Sequence, residues 1–217
     1  MPPAIQVSIP TPHALHAKTV LSLFAALPQV RGYQTRLRIL EGFSLIDQAR
    51  SVLLTEWYDQ AGDDDLFLFI DPDLAFTGDD LNAIIALGGD VAVVAALCGA
   101  NRINLLPKDE GRFRAGADAE ILYGGASFML IRKPVLRRVV PLLAAEHGAE
   151  RLWVNEQWPA VIPFFRQRTV ARPPQPREWL GEDFAFCWLV RQVGGTLRGL
   201  ISPTLGHEVH EIKYLRP

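Results

Sequence analysis

The sequence predicts a single α/β domain in which a mostly parallel β-sheet is flanked by helices, followed by an irregular C-terminal half. Strand-like and helix-like segments alternate over residues 5–97, which is the order expected of a parallel sheet with helical crossovers. The run Leu66–Ile70 is apolar at every position, as in a central strand that is covered on both faces. A length of 217 residues with 49% hydrophobic residues is enough for one sizeable core.

The first half is predicted to contain four strands and three helices. The strands are residues 5–9, 33–40, 66–70 and 91–97. Each helix is predicted to begin at a hydroxyl residue, because such side chains cap the free N–H groups of a helix start. These starts are Thr11 before Pro12, Ser44 with Asp47 three residues later, and Thr77 with Asp80 three residues later.

The second half is less regular. Residues 99–123 are polar and mixed, and residues 153–179, rich in proline and aromatics, are expected to form an ordered surface lobe or lid. Apolar spacing predicts two further strands, at residues 126–131 and 196–201, and two helices, at residues 134–143 and 182–193.

Composition and charge exclude several classes of protein. Lys and Arg total 22 and Asp and Glu total 24, a formal net charge of −2, whereas a dedicated nucleic-acid binder is usually basic. No apolar run approaches the length of a membrane-spanning helix, and the N-terminus does not resemble a signal peptide. Cys98 and Cys187 both lie in apolar stretches, so no disulfide framework is implied. We therefore expect a cytoplasmic protein with neither a nucleic-acid partner nor a membrane span.

An acidic pair, Asp71 and Asp73, directly follows the most apolar strand. Ligands of open α/β sheets bind outside the carboxyl ends of the strands, so the pair lies at the expected crevice. Two carboxylates one residue apart can reach one hard divalent cation, and such a cation would bridge phosphate oxygens. Acidic pairs in turns are also common, so an ordinary turn remains the alternative.

Two later motifs have both a structural and a functional interpretation. The pair Gly124-Gly125 before a strand is typical either of a close backbone approach to a ligand or of a turn with a bulge. Glu182 and Asp183 open a helix, where acids are favoured by the helix dipole, but either could also act as a general base.

For several other side chains, the sequence alone allows two interpretations. Arg50 could face a phosphate or be solvated, and His207 and His210 could bind a cation or be ordinary surface histidines. The aromatic residues of the lobe could stack on a sugar ring or pack within the lobe, and packing is the more common role. These aromatics are Trp153, Trp158, Phe164, Phe165 and Trp179.

In their order along the chain, these motifs resemble a nucleotide-sugar-dependent glycosyltransferase of the A-type (GT-A) fold. The segments that carry the resemblance are residues 69–73, 123–128, 181–187 and 205–207, and the likeness spans roughly residues 5–210. It implies a Rossmann-like fold with a nucleotide-binding half, residues 1–98, and an acceptor half, residues 99–217. The implied function is metal-dependent transfer of one sugar from a nucleotide-sugar donor to a saccharide or other hydroxyl acceptor, in surface polysaccharide or glycoconjugate synthesis.

The resemblance also implies roles for individual residues. Asp71 and Asp73 would hold a divalent cation, Mn²⁺ or Mg²⁺, on the donor diphosphate, with His207, or else His210, as a further ligand. In inverting relatives the acid at the later helix start is the catalytic base, which implies Asp183 or Glu182. The residues implied to contact substrate are Pro10, Thr11, Arg50, Asp71, Gly124 and Gly125.

Two alternatives remain beside this interpretation. A haloacid-dehalogenase-type phosphatase also has an acidic pair after an apolar strand, but its pair normally closes the first strand rather than the third. A binding module for nucleotide sugar or metal, without turnover, would keep the same motifs. The second motif of processive synthases is lacking, with Arg177-Glu178-Trp179 only distantly similar, which favours single-sugar transfer.

Overall fold

The computed structural model describes residues 2–96, 105–109, 116–172 and 175–207, and these residues form twelve strands and five helices. The strands are β1 Ala4–Thr11, β2 Gln34–Glu41, β3 Leu66–Ile70, β4 Leu74–Ala75, β5 Val91–Ala96, β6 Leu105–Pro107, β7 Asp118–Gly124, β8 Phe128–Arg132, β9 Arg168–Arg172, β10 Gln175–Leu180, β11 Leu197–Ser202 and β12 Gly206–His207. The helices are α1 Ala17–Ala26, α2 Ile46–Gln60, α3 Gly78–Ala86, α4 Lys133–His147 and α5 Glu182–Gln192.

Eight of the described strands form one sheet in the order β2-β1-β3-β8-β5-β11-β7-β6. Strands β2, β1 and β3 pair in parallel, as do β5 and β11. Strand β8 runs antiparallel between β3 and β5, and β7 runs antiparallel to both β11 and β6. The prediction of an α/β fold with a large sheet flanked by helices is therefore confirmed. Six of the eight strands run in the same direction and β7 and β8 run the other way, so the sheet is mixed.

Side chains alternate across the sheet and build a core on each face. Along β3, Phe67 and Phe69 belong to one core together with residues of α2, α4 and α5. Leu66, Leu68 and Ile70 belong to the other core, with residues of α1 and α3. All five residues of β3 are buried, as the apolar run predicts for a strand that is covered on both faces.

Two of the three predicted helix starts are wrong. Thr11 ends β1, and its hydroxyl donates to the carbonyl of His13; α1 begins at Ala17 after His16, which makes no side-chain cap. Helix α2 begins after Leu45 without a side-chain cap, because the Asp47 carboxylate accepts from the N–H of Gln48 rather than forming a capping box.

The third start is confirmed. The hydroxyl of Thr77 accepts from the N–H of Asp80, and the Asp80 carboxylate accepts from the N–H of Thr77. This reciprocal pair of bonds satisfies two N–H groups at the start of α3.

The second half contains more strands than the sequence predicted. Strands β6 and β7 lie within the region described as polar and mixed, and β9 and β10 form an antiparallel hairpin in the aromatic lobe. Phe164 and Phe165 are buried in the core, so for them the packing interpretation holds. Among the described residues, no helix is both long and apolar enough to cross a membrane.

Candidate functional site

The Asp71-Pro72-Asp73 turn is held in place by backbone and side-chain hydrogen bonds. The N–H of Asp71 donates to the carbonyl of Ser127 at 2.8 Å. The carbonyl of Pro72 accepts from the N–H of His16 at 2.9 Å and from the hydroxyl of Thr19 at 2.8 Å. His16 and Thr19 at the start of α1 and Ser127 after β7 therefore fix the acidic turn at the carboxyl end of β3.

Arg50 links the acidic turn to the start of α5. Its side chain is almost fully buried; Nη2 donates to Asp71 Oδ1 at 3.0 Å, and Nη1 donates to Glu182 Oε1 at 2.6 Å. The third donor, Nε–H, is buried without a hydrogen-bond partner among the described residues. The possibility that Arg50 is a solvated surface residue is therefore wrong. Three distant segments therefore meet at this point: the N-terminal half of α2, the turn after β3 and the start of α5.

The two acids at the start of α5 have different surroundings. Burial raises the pKa of Glu182 above its ordinary value, the positive charge of Arg50 opposes that rise, and the negative charge of Asp183 adds to it. Asp183 Oδ1 accepts from the N–H of Phe184 at 2.7 Å. Glu182 is thus held in an ion pair with Arg50, whereas the hydrogen bond of Asp183 is local to the helix start.

Gly124, the first of the two glycines before β8, packs closely against core side chains. A Cβ atom on Gly124 would lie 2.8 Å from Val93 Cγ2 and 2.9 Å from Leu105 Cδ2. The core side chains alone therefore leave no room for a Cβ atom at this position. Gly125 is buried in the turn that ends at Ser127, the residue whose carbonyl holds Asp71.

The chain returns to the acidic turn near its C-terminus. The short strand β12 pairs antiparallel with β4, and this pairing sets His207 opposite Leu74, the residue that follows Asp73. The buried carboxylate of Asp80 anchors the approach to β12, because it accepts from the hydroxyls of Ser202 at 2.5 Å and Thr204 at 2.8 Å. His210 and Cys98 lie outside the described residues.

Pro10 and Thr11 lie at the same edge of the sheet as the acidic turn. Both belong to the end of β1, which pairs in parallel with β3, and both are buried. The Thr11 hydroxyl is engaged with the backbone of His13, so it shapes the loop before α1.

The oxygen-rich character of the site suits a hard divalent cation. Asp71 and Asp73 flank one residue, and the backbone of His207 lies beside them. Arg50 occupies Asp71 Oδ1 and leaves Oδ2 as the oxygen that could face a cation. Within the described ranges, no group of three or more His, Cys, Asp and Glu side chains is arranged to hold a metal ion. A cation here would therefore need ligands beyond the two carboxylates, from His207 or from a bound phosphate.

The fold and this site together define a mixed α/β protein with an acidic, arginine-linked cluster at the carboxyl ends of its central strands. No protein-family model and no curated protein matches the sequence. The structure is similar to a solved structure described as A197 from STIV, with a TM-score of 0.55 and 16% sequence identity. The match covers 96% of this chain and 87% of that chain. At this identity, the similarity concerns the fold alone.

Proposed function

We propose that this protein is a metal-dependent glycosyltransferase of the GT-A type, which moves a sugar from a nucleotide-sugar donor to an acceptor hydroxyl. The observation that carries the proposal is the Arg50 bridge, which ties the acidic turn after β3 to the acidic start of α5. Two motifs that are 111 residues apart in the chain (182 − 71 = 111) are thereby joined in one site.

Asp71 and Asp73, with His207 beside them, are the residues proposed to hold the divalent cation. When bound, the cation would neutralise negative charge on the diphosphate of the donor. The local charge is compatible with this assignment, because one guanidinium, that of Arg50, is shared between the carboxylates of Asp71 and Glu182. The hydrogen bonds to the backbone at residues 71 and 72 keep the turn rigid, so little reorganisation would accompany binding.

Asp183 is the proposed general base. Glu182 is the partner of Arg50, so its role is to position that arginine, which leaves Asp183 to accept a proton. In the reaction, the acceptor oxygen bonds to the anomeric carbon of the donor sugar while its proton passes to Asp183. The bond between that carbon and the diphosphate oxygen breaks, and its electron pair leaves with the diphosphate.

Calorimetry with UDP, GDP and TDP, in Mn²⁺ and in EDTA, tests the binding part of the proposal. We expect chelation and the variant Asp73→Asn each to weaken binding by about tenfold or more. Asp79→Asn, at an exposed position on α3, is the matched control and should bind as the wild type does. Undiminished affinity in EDTA would refute the metal-dependent site.

A panel of nucleotide sugars with and without acceptors tests the catalytic part. Asp183→Asn is expected to abolish transfer and to leave binding of the nucleoside diphosphate near that of the wild type. Glu182→Gln should retain measurable transfer because Glu182 is not the base. If donors bind but the wild type transfers nothing, the protein is a binding module instead.

A further inference from the structure

One large aromatic side chain of the lobe is exposed beside a cavity. Trp153 is 68% exposed and lines a cavity of about 310 Å³ between the start of α2 and residues 152–166. Trp158, five residues later, differs: it is partly buried, packs against Phe43 and donates its indole N–H to Glu56 Oε1 at 3.1 Å. Packing of the lobe against the first half of the chain therefore explains Trp158, whereas Trp153 is exposed.

Hydrogen bonds join the two walls of this cavity, which are α2 and residues 152–166. The Ser51 hydroxyl on α2 accepts from the N–H of Phe165 at 3.0 Å and also lies 3.2 Å from its carbonyl oxygen. One turn further along α2, the Thr55 hydroxyl accepts from the N–H of Ile162 at 3.1 Å. These bonds are buried, so the cavity is already formed and would require little ordering of the chain on binding.

The loop that carries Trp153 is also braced. Leu152 and Val161 exchange backbone hydrogen bonds of 2.7 and 2.8 Å across its base. At its tip, the Asn155 carboxamide oxygen accepts from the N–H groups of Gln157 and Trp158, both at 3.0 Å. The backbone that carries the exposed indole of Trp153 is therefore held in place by hydrogen bonds on both sides.

Polar side chains complete the rim of the cavity. Asp47 and Gln48 come from the first turn of α2, and Arg166 comes from the other wall. A carboxylate, a carboxamide and a guanidinium offer acceptors and donors in planar arrays. Asp47 precedes Arg50 by three residues on α2, and residues at that spacing are neighbours on a helix surface. The cavity therefore lies next to the acidic site.

We propose that this cavity binds a saccharide ring, which stacks on Trp153 and exchanges hydrogen bonds with Asp47, Gln48 and Arg166. A sugar has an apolar C–H face and an edge of hydroxyl groups, and the cavity pairs an aromatic surface with polar groups in the same way. A volume of about 310 Å³ suits one or two rings rather than a protein surface. This inference rests on the proposed function for its role, since the bound sugar would be the acceptor.

Direct binding is tested by saturation-transfer NMR. The probes are the methyl glycosides of glucose, galactose, mannose and N-acetylglucosamine and their β-linked disaccharides, without donor or metal. We expect at least one probe to bind the wild type, Trp153→Ala to weaken it by about tenfold, and Gln48→Ala to weaken it less. The matched control is Trp179→Ala, because Trp179 is 76% exposed on β10 and does not line the cavity.

The outcomes separate this inference from the proposed function. Sugar binding that depends on Trp153 supports the saccharide site even if no donor is ever turned over. A circular dichroism spectrum and a urea midpoint like those of the wild type show that Trp153→Ala is folded, whether or not a nucleotide binds. The inference is overturned if no probe binds, or if Trp153→Ala and Trp179→Ala bind the probe equally well.

Discussion

Removing the guanidinium of Arg50 should destabilise the protein more than removing an exposed arginine. Arg50 is 5% exposed, and the side chains of its partners Asp71 and Glu182 are 22% and 17% exposed. Arg50→Met fills a similar volume but leaves two partly buried carboxylates without their cation. Loss of one partner from a buried ion pair costs about 3–5 kcal/mol, and the residual solvent access of the carboxylates points to the lower end, about 3 kcal/mol.

Urea unfolding at neutral pH, followed by circular dichroism, measures this change. A loss of about 3 kcal/mol corresponds to a decrease of roughly 1 M or more in the midpoint of unfolding. The matched control is Arg137→Met, because Arg137 and its partner Asp63 are both exposed, and such pairs contribute about 0–1 kcal/mol. Equal midpoints for the two variants would refute the view that Arg50 is the cation that the acidic cluster requires.

The pH dependence of the Arg50→Met defect gives a second, independent readout. The charge of Arg50 opposes the burial that raises the pKa of Glu182, so the variant should raise that pKa further. When the pKa of a carboxyl is higher in the folded protein than in the unfolded chain, the protein becomes less stable as the pH rises from the unfolded pKa through the folded pKa. The defect should therefore be largest at neutral pH and smaller in mildly acidic solution. A defect that does not change with pH would indicate lost packing instead of lost charge.

Two further predictions concern the core and the C-terminal anchor. Asp80→Asn should lose about 1–3 kcal/mol at neutral pH, because Asp80 accepts hydrogen bonds from Thr77, Ser202 and Thr204 that outweigh its burial and lower its pKa. This stabilisation is lost as the pH falls through the lowered pKa. The free energy of unfolding should therefore decrease less between neutral and acidic pH for Asp80→Asn than for the wild type. Gly124→Ala should cost about 1–3 kcal/mol in thermal or urea unfolding because its Cβ would clash with the core. Gly62→Ala, where the added Cβ meets only an ordinary contact at 3.5 Å, is the control.

The sequence predicted those features of the fold that are determined by residues close together in the chain. The apolar run of β3 and the Thr77–Asp80 capping box are both present, because each is decided by a few neighbouring residues. The acidic pair lies at the carboxyl end of β3 because it directly follows Ile70, and the parallel strand β1 ends at the same edge. Strands β9 and β10 were not predicted because their largely polar sequences, RTVAR and QPREWL, lack the apolar alternation of a half-buried strand.

The contacts that assemble the site could not be predicted from the sequence. Arg50 lies 132 residues from Glu182, and nothing in the spacing of either motif indicates that the two side chains meet. The short pairing of β12 with β4, which brings His207 beside the acidic turn, also needs the tertiary fold. Ser127 acts through its backbone carbonyl, so no side-chain pattern could have marked it.

The position of β8 in the sheet has a consequence for folding during synthesis. Residues 128–132 are inserted between β3 and β5, two strands that are both synthesised earlier. Until β8 is available, the inner edges of those two strands have no partner for their backbone groups, which would attract other extended chains. We therefore expect a nascent chain that stalls before residue 128 to expose these two strand edges and to be prone to aggregation.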